Sequence, residues 1–204
     1  MKDTKEKIIE YTTKKFLKSG FYKTGMDKLA KEMKISKKTI YKYFNTKSEL
    51  VKASATYYFD SLREQADKIV SDKKIGTLEK MILLTKMHTE KLRLINEKYY
   101  EDLRTHEPHL HKDCEKMQNE SINKITLMLL DQGKKEKVFE NYPSELLLET
   151  VNSLMKNLFN PEYIKNSKYN QEKIFTFMVN LLLNGILTKD GKSKYKNIIE
   201  RKLK

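Results

Sequence analysis

Apolar residues recur every three or four positions along most of the chain, which is the spacing of amphipathic α-helices rather than β-strands. The first such segment ends at Gly20, a residue suited to a left-handed cap. Thr24 and Asp27, three positions apart, predict a capping box at the start of the second segment. A third segment begins at Ser36. Three short helices in this order are typical of a helix-turn-helix unit, with the motif at about residues 25–44.

The third predicted helix has one narrow apolar stripe, formed by Ile40 and Phe44, and Ser36 is a good N-cap for it. Its other side chains carry ammonium and hydroxyl groups, which can meet phosphate oxygens and base edges in the major groove. These outward-facing candidates are Lys37, Lys38, Thr39, Tyr41, Lys42 and Tyr43. We interpret the segment as a DNA-reading helix. The alternative is a solvated lysine face with two half-buried tyrosines.

A long fourth helix is predicted next, because Thr46 and Glu49 form a second capping box. Its first amide groups, helped by Lys47, are suited to holding a phosphate at the positive end of the helix dipole. This helix would join the DNA-binding part of the chain to the remainder.

The remainder is also predicted to be helical. A break over residues 72–76 separates the fourth helix from a fifth, and Pro108 opens a long helix that Gly133 would close. Two strongly apolar helices are expected over residues 143–159 and 171–187.

These last two helices are apolar over too wide an arc for one core contact, so they must be buried on two sides. We expect one side to face the domain's own core and the other to meet the same helices of a second subunit about a two-fold axis. The alternative is a large monomeric core. The predicted interface residues are Leu147, Val151, Leu154, Leu158, Phe175, Met178, Leu182 and Ile186.

A chain of 204 residues fits two domains better than one. We predict an all-α protein of about nine helices. Residues 1–48 would form a three-helix helix-turn-helix domain that binds DNA. Residues 49–204 would form a helical domain for effector binding and dimerisation.

Positive charge is concentrated in the part of the chain that holds the predicted motif. Residues 1–50 carry 14 lysines against 6 acidic residues, which gives +8 of the formal net charge of +14. Neutralised phosphates release condensed counterions, so DNA binding should weaken steeply as salt rises. The alternative is a lysine-rich composition without a partner, because 34% of the residues are charged and the mean hydropathy is −0.73.

Other function classes find little support in the sequence. It contains no glycine-rich phosphate loop, paired-carboxylate motif or nucleophile motif, so we expect neither enzymatic activity nor a cofactor nor a metal site. The N-terminus lacks the apolar core of a signal peptide, and the most apolar stretch, 177–187, is too short to span a bilayer. A single cysteine, Cys114, agrees with a reducing compartment. We expect a cytoplasmic protein that makes no membrane contact.

Taken together, residues 1–50 resemble the TetR/AcrR family of one-component transcriptional regulators. The matching positions are Phe16, Gly20, the segment from Thr24 to Ala30, Ile35, Ser36 and above all Thr39, Ile40, Tyr41, Tyr43, Phe44, Lys47, Glu49 and Leu50. Lys34 and Lys38 stand where the family often has glycine. These departures concern the choice of operator rather than the fold.

The resemblance implies phosphate contacts from the hydroxyl at the start of the second helix, from Tyr43 and from Lys47, and base contacts from the third helix. The full set of candidate DNA contacts is Thr24, Gly25, Ser36, Lys37, Lys38, Thr39, Tyr41, Lys42, Tyr43 and Lys47. The resemblance also implies a homodimer that represses transcription and is released by a small molecule. We expect an inverted-repeat operator with half-site centres about 34–36 Å apart.

Methionine, tyrosine and histidine near the middles of the later helices are candidates to line a pocket for an apolar or aromatic effector. The candidates are Tyr58, Met81, Met87, His88, Tyr99, Leu103, Met117, Met128, Met155 and Phe159. The alternative is that they are ordinary core residues, because such side chains fill cores routinely.

Two other functions stay open at this point. His106, His109, His111 and Cys114 form a dense group that could make the protein a metal or redox sensor, although no zinc-motif spacing is met. A constitutive DNA-binding protein without an effector is the second. The sequence names neither the effector nor the operator or regulated gene, and it does not separate a repressor from an activator.

Overall fold

The computed structural model describes residues 3–202, which form eleven α-helices. They are α1 (Thr4–Ser19), α2 (Met26–Glu32), α3 (Lys37–Tyr41), α4 (Lys47–Ser71), α5 (Thr77–Leu94), α6 (Glu97–His106), α7 (Pro108–Lys135), α8 (Ser144–Leu158), α9 (Pro161–Asn166), α10 (Gln171–Ile186) and α11 (Lys189–Lys202). No β-strand occurs among these residues, although Phe139 and Leu187 form an isolated antiparallel bridge. The all-α prediction is confirmed, and α9 and α11 are the two helices beyond the nine expected.

The described residues divide into two compact units. The first contains the residues up to Gln65 together with Leu94–Asn119, and the second contains Ala66–Arg93 together with the residues from Glu120 onward. The first unit therefore adds α6 and the beginning of α7 to the helices of the N-terminal segment. The functional boundary at residue 48 stays a prediction.

The core of the first unit is built from α1 to α4 and from α6. Three helices of 16, 7 and 5 residues cannot cover their own apolar faces, so α6 closes the core with Tyr99 and Leu103, which are 2% and 1% exposed. A buried hydrogen bond of 2.8 Å between the hydroxyls of Thr12 and Ser54 links α1 to α4. The backbone N–H of Asn96, at the start of α6, donates to the carbonyl of Leu17 at 2.8 Å.

The second unit has its own core, in which α5, α7, α10 and the segment around Val138 and Phe139 meet. The sequence predicted that Gly133 would end α7, but the helix continues to Lys135. A Cβ at position 133 would overlap the ring of Phe139. This glycine therefore permits close packing, and the prediction that it ends the helix is wrong.

Candidate nucleic-acid interface

α3 is only five residues long, and its position depends on local features that the sequence contains. The Ser36 side chain accepts a hydrogen bond of 2.9 Å from the backbone N–H of Thr39, which confirms the predicted N-cap. Ile40 and Phe44 are 0% and 3% exposed and attach the helix to the core. Lys37, Lys38, Tyr41 and Lys42 are exposed, and Thr39 and Tyr43 are half-buried.

Lysine and tyrosine side chains of α3 and of the turn that follows it lie close to one another in pairs. Lys37 Nζ is 5.8 Å from the ring centre of Tyr41, and Lys42 Nζ is 5.7 Å from that of Tyr43, within the range of cation–π attraction. Lys37 also forms an ion pair of 2.8 Å with Asp27 of α2, and this hydrogen-bonded carboxylate raises the pKa of the lysine. Such an exposed pair adds little stability, so Lys37 can exchange its partner for a phosphate at small cost.

α2 begins differently from the sequence expectation. Its N-cap is Gly25, which makes no side-chain capping bond, and Thr24 is only 6% exposed. The predicted capping box of Thr24 and Asp27 is therefore wrong, because the threonine is drawn into the core. Gly25 itself is exposed, and a Cβ added to it would have no atom of another residue within 4 Å.

The turn between α2 and α3 contains a residue in the left-handed conformation. Lys34, which the resemblance noted above aligns with a frequent glycine, has a φ of +55°. The following amide, of Ile35, donates to the carbonyl of Ala30 at 3.0 Å, which closes the end of α2. The lysine thus adopts a conformation that glycine would adopt with less strain.

The second capping box is present at the start of α4. The backbone N–H of Glu49 donates to Thr46 Oγ1 at 3.1 Å, and the Glu49 carboxylate accepts from the N–H of Asn45 at 2.8 Å, one residue before the predicted N-cap. Lys47 is half-buried, and its Nζ donates to the carbonyl oxygen of Tyr22 at 2.6 Å. Burial lowers the pKa of Lys47, and the charge of Asp102 opposes that effect.

Lys47 contacts Tyr22, and Tyr22 in turn contacts His106 and Asp102; the sequence singled out none of these three residues as a DNA contact. The ring of Tyr22, which is 55% exposed, lies 6.0 Å from Lys47 Nζ and stacks on His106 with ring centres 3.7 Å apart. Asp102 is 5% exposed and accepts hydrogen bonds from the backbone N–H groups of Phe21 and Tyr22. The one feature of the sequence that could have indicated Asp102 is its place among the apolar residues of α6, where a carboxylate needs a partner.

The histidine and cysteine group lies in the first unit. His106 and His109 are exposed, whereas His111 is half-buried with its Nδ1 3.4 Å from Glu115. Burial raises the pKa of Cys114, which disfavours the reactive thiolate. Across the part of the chain that the structure describes, no group of three or more histidine, cysteine or acidic side chains is arranged to hold a metal ion.

The ten residues predicted to line an effector pocket are divided between the two units. Three of those in the first unit, Tyr58, Tyr99 and Leu103, belong to its core. Met117 of the first unit and Met128 of the second are 54% and 40% exposed. The half-buried ones in the second unit are Met81, Met87, His88, Met155 and Phe159.

An aromatic cluster in the second unit contains two of these residues. The rings of His88 and Phe175 lie 4.2 Å apart, and Phe159 meets Phe175 edge-on at 6.4 Å. Burial, with a smaller contribution from the charge of Lys91, lowers the pKa of His88 to about 4, so its imidazole is neutral near pH 7. Lys91 is 7% exposed, and burial lowers its pKa to about 8.

The residues predicted for a subunit interface are mostly half-buried. The half-buried ones are Leu147, Val151, Leu154, Leu158 and Leu182. The other three, Phe175, Met178 and Ile186, are buried, with exposed fractions of 9%, 3% and 7%. α10 also presents an outward stripe with a spacing of four residues. It consists of Phe177, Leu181 and Gly185, of which the two large side chains are 65% and 59% exposed.

None of the helices within residues 3–202 is both long and apolar enough to cross a bilayer.

The chain is similar in sequence to known transcriptional regulators. The family model described as "Bacterial regulatory proteins, tetR family" matches residues 8–54. The HTH-type transcriptional regulator YvaF of Bacillus subtilis (strain 168), itself uncharacterized, is 23% identical over 184 residues, which are 89% of this chain and 94% of YvaF.

Two solved structures illustrate the likeness in fold. A TetR-family transcriptional regulator from Marinobacter aquaeolei VT8 matches with a TM-score of 0.71 at 17% identity, over 98% of each chain. A Saccharomonospora viridis protein solved in complex with choline matches with a TM-score of 0.70 at 11% identity, over 91% of this chain and 98% of that one. At these identities the structural likeness shows the fold alone.

Proposed function

Because this chain belongs to the TetR family and is a DNA-binding transcriptional regulator, we propose that it acts as a homodimer on an inverted-repeat operator. In this proposal it is a cytoplasmic repressor without catalytic activity. A small molecule that binds the helical part of the chain after residue 48 releases it from DNA. For a hundredfold loss of operator affinity, that molecule must prefer the non-binding conformer by only about 2.8 kcal/mol.

The exposed arc of α3 is the observation that carries the proposal. Ile40 and Phe44 attach the helix from one side, so Lys37, Lys38 and Tyr41 point away from the core. A major groove is wide enough to admit such a helix, and lysine and tyrosine can reach base edges and phosphates there. We assign base contacts to this arc and a phosphate contact to Lys47 at the start of α4.

The exposed stripe of α10 supports dimerisation. Phe177 and Leu181 lie one helical turn apart and expose most of their surface, while the opposite face of α10 is buried in the second unit. A second copy of the same stripe would cover both side chains, and Gly185 would let two helices approach closely. Within α10 the proposed centre of the interface is therefore this stripe, with the predicted and half-exposed Leu182 at its border.

The aromatic cluster around Phe175 supports a site for an effector. A neutral His88 and two phenyl rings offer stacking surfaces for an aromatic or apolar molecule. We therefore expect an apolar or aromatic effector, the class that the sequence predicts.

Selection of bound sequences from random duplex DNA tests the operator proposal. We expect an inverted repeat with half-site centres about 34–36 Å apart. Replacing Tyr41 or Lys38 by alanine should change the preferred bases, whereas Lys47→Ala should weaken all sequences about equally. Recovery of sequences with no repeat would refute the operator proposal.

A thermal-shift screen separates a ligand-responsive regulator from a constitutive DNA binder. A compound present at about 100 times its dissociation constant should stabilise the protein by about 2.7 kcal/mol and should lower its affinity for the selected duplex. If screening apolar and aromatic compounds yields none that does both, the constitutive alternative is favoured.

A further inference from the structure

The first unit contains a buried carboxylate on α6 that binds a segment between α1 and α2. The carboxylate itself lies far from the predicted DNA-binding segment in the sequence. Asp102 of α6 is 5% exposed, and its Oδ2 accepts the backbone N–H of Phe21 at 2.6 Å and that of Tyr22 at 2.8 Å. These short distances are typical of hydrogen bonds to an ionised acceptor. One carboxylate oxygen therefore fixes two consecutive peptide groups that lie 80 residues earlier in the chain.

The local backbone is adapted to this contact. Gly20 has a φ of +72°, and a Cβ at this position would overlap Asp102 Oδ2 and lie 3.0 Å from Lys98 Cγ. Only a residue without a side chain allows the carboxylate to come so close to the amides. Burial of a carboxylate costs several kcal/mol unless hydrogen bonds and nearby charge offset it, so a buried aspartate here requires such partners.

The segment that Asp102 holds is the same one that positions Lys47. The Tyr22 carbonyl accepts from Lys47 Nζ at 2.6 Å, and the Tyr22 ring stacks on His106, one helical turn after Asp102 in α6. Asp102 thus fixes the N–H of Tyr22, while Lys47 is bound to its carbonyl. The aspartate also lies close enough to raise the pKa of Lys47 against the effect of burial.

We propose that Asp102 is a positioning residue for DNA binding, which holds Tyr22 so that Lys47 is directed at a phosphate. The proposal rests on the phosphate contact assigned to Lys47 above. Asp102 itself does not touch DNA in this scheme. It acts through the Tyr22 peptide, and His106, one helical turn further along α6, restricts the Tyr22 ring.

The sign of the effect separates this proposal from simple electrostatics. Removal of a negative charge from a DNA-binding surface should tighten binding if the charge acts only by Coulomb repulsion of phosphates. Positioning predicts the opposite result, because Tyr22 and Lys47 lose their fixed arrangement. Glu101 is the neighbouring carboxylate on α6 and is exposed, so Glu101→Gln measures the effect of charge alone.

The test uses the full-length protein and a mixed-sequence duplex of about 30 base pairs, long enough for two half-sites one helical turn apart. Affinity is measured by fluorescence anisotropy over a range of salt concentrations. Asp102→Asn should weaken binding by about three- to tenfold and lower the salt slope by about 0.9 for each half-site, as if one phosphate contact were lost. Glu101→Gln should bind as tightly as the parent protein or more tightly.

A double-mutant cycle shows whether Asp102 acts through Lys47. In the Lys47→Ala background, Asp102→Asn should have little further effect on affinity or salt slope. Asp102→Ala should weaken the parent more than Asp102→Asn does, because alanine also removes the acceptor. Circular dichroism shows whether the Asp102→Ala variant remains folded. If it does not, the affinity and salt slope of Asp102→Asn alone test the proposal.

Several outcomes would overturn the inference. Binding by Asp102→Asn that is as tight as that of the parent, or an equal loss in the Lys47→Ala background, would show that the aspartate does not act through the lysine. A loss of affinity with an unchanged salt slope would indicate only a smaller folded fraction. An unchanged slope for Lys47→Ala itself would remove the premise of the inference, and a parent that does not bind the duplex would refute the proposed function as well.

Discussion

Replacing Leu181 by glutamate should dissociate the proposed dimer. The side chain lies in the middle of the exposed stripe of α10, one helical turn from Phe177, and is 59% exposed in the single chain. In a two-fold interface each substitution appears twice, so two carboxylates would be brought near the symmetry axis. Asn180 is also exposed on α10 but lies outside the stripe, so Asn180→Glu is the matched control.

The exposed fractions of Phe177 and Leu181 determine how much dimerisation free energy the substitution should remove. Complete burial of a leucine or phenylalanine side chain is worth about 1.5–3 kcal/mol, and about 60% of the surface of Phe177 and Leu181 is available for burial. Four such side chains, two from each subunit, would then contribute roughly 4–7 kcal/mol. Loss of the two leucines removes about half of this, and desolvation of the two carboxylates adds several kcal/mol. A total of about 5 kcal/mol or more corresponds to a dimer that is weakened by more than about a thousandfold.

Analytical ultracentrifugation across a range of protein concentrations measures this change directly. We expect the parent and Asn180→Glu to sediment as dimers at concentrations where Leu181→Glu is a monomer with unchanged helicity. A dimer that survives Leu181→Glu, or one that Asn180→Glu splits equally well, would refute the assignment of the interface to this stripe.

Further substitutions test other parts of the structure. Lys34→Gly should stabilise the protein by about 0.5–1 kcal/mol relative to Lys34→Ala in chemical denaturation, because φ is +55° there, and equal stability would contradict the strain. Gly133→Ala should destabilise by about 2 kcal/mol or more, since its Cβ overlaps Phe139, and a change below about 0.5 kcal/mol would contradict that packing. The pKa of His88 is about 4 when folded and near 6.5 when unfolded, so the unfolded chain binds the proton more readily and stability falls as pH drops below about 6.5. Between pH 7 and pH 5 the free energy of unfolding of the parent should fall by about 2 kcal/mol more than that of His88→Phe. Equal decreases would contradict a buried neutral imidazole.

Sequence reasoning succeeded where the determining interactions are local. The N-cap at Ser36 and the apolar residues Ile40 and Phe44 involve contacts within one or two helical turns, and α3 begins where they predict it. The helix is shorter than predicted, because it ends at Tyr41 and Phe44 follows it outside the helix. It failed at Thr24, where a capping role competed with burial and burial prevailed. The same holds for Gly133, whose close approach to Phe139 decides its role rather than its helix-breaking tendency.

The missed elements have a common physical cause. α11 is rich in lysine, and its apolar side chains Tyr195 and Ile198 pack against the core of the second unit, so its apolar periodicity is faint. Asp102 contacts backbone groups about 80 positions away, and no local pattern marks a carboxylate that will accept bonds from distant amides. Its neighbours Tyr99 and Leu103 were predicted to line an effector pocket, with a place in the core as the alternative, and nothing in the sequence indicated a partner for the carboxylate between them.

The discontinuous first unit affects how the protein is made. Helices α1 to α3 leave the ribosome early, yet Asp102 is synthesised only after half of the chain, and Tyr99 and Leu103 of the same core come with it. A nascent chain arrested before this point would expose the apolar side chains that α6 covers, and it would be a substrate for chaperones and proteases. The proposed DNA-reading region is therefore among the first parts to be translated, yet its core is completed only after α6 has been made.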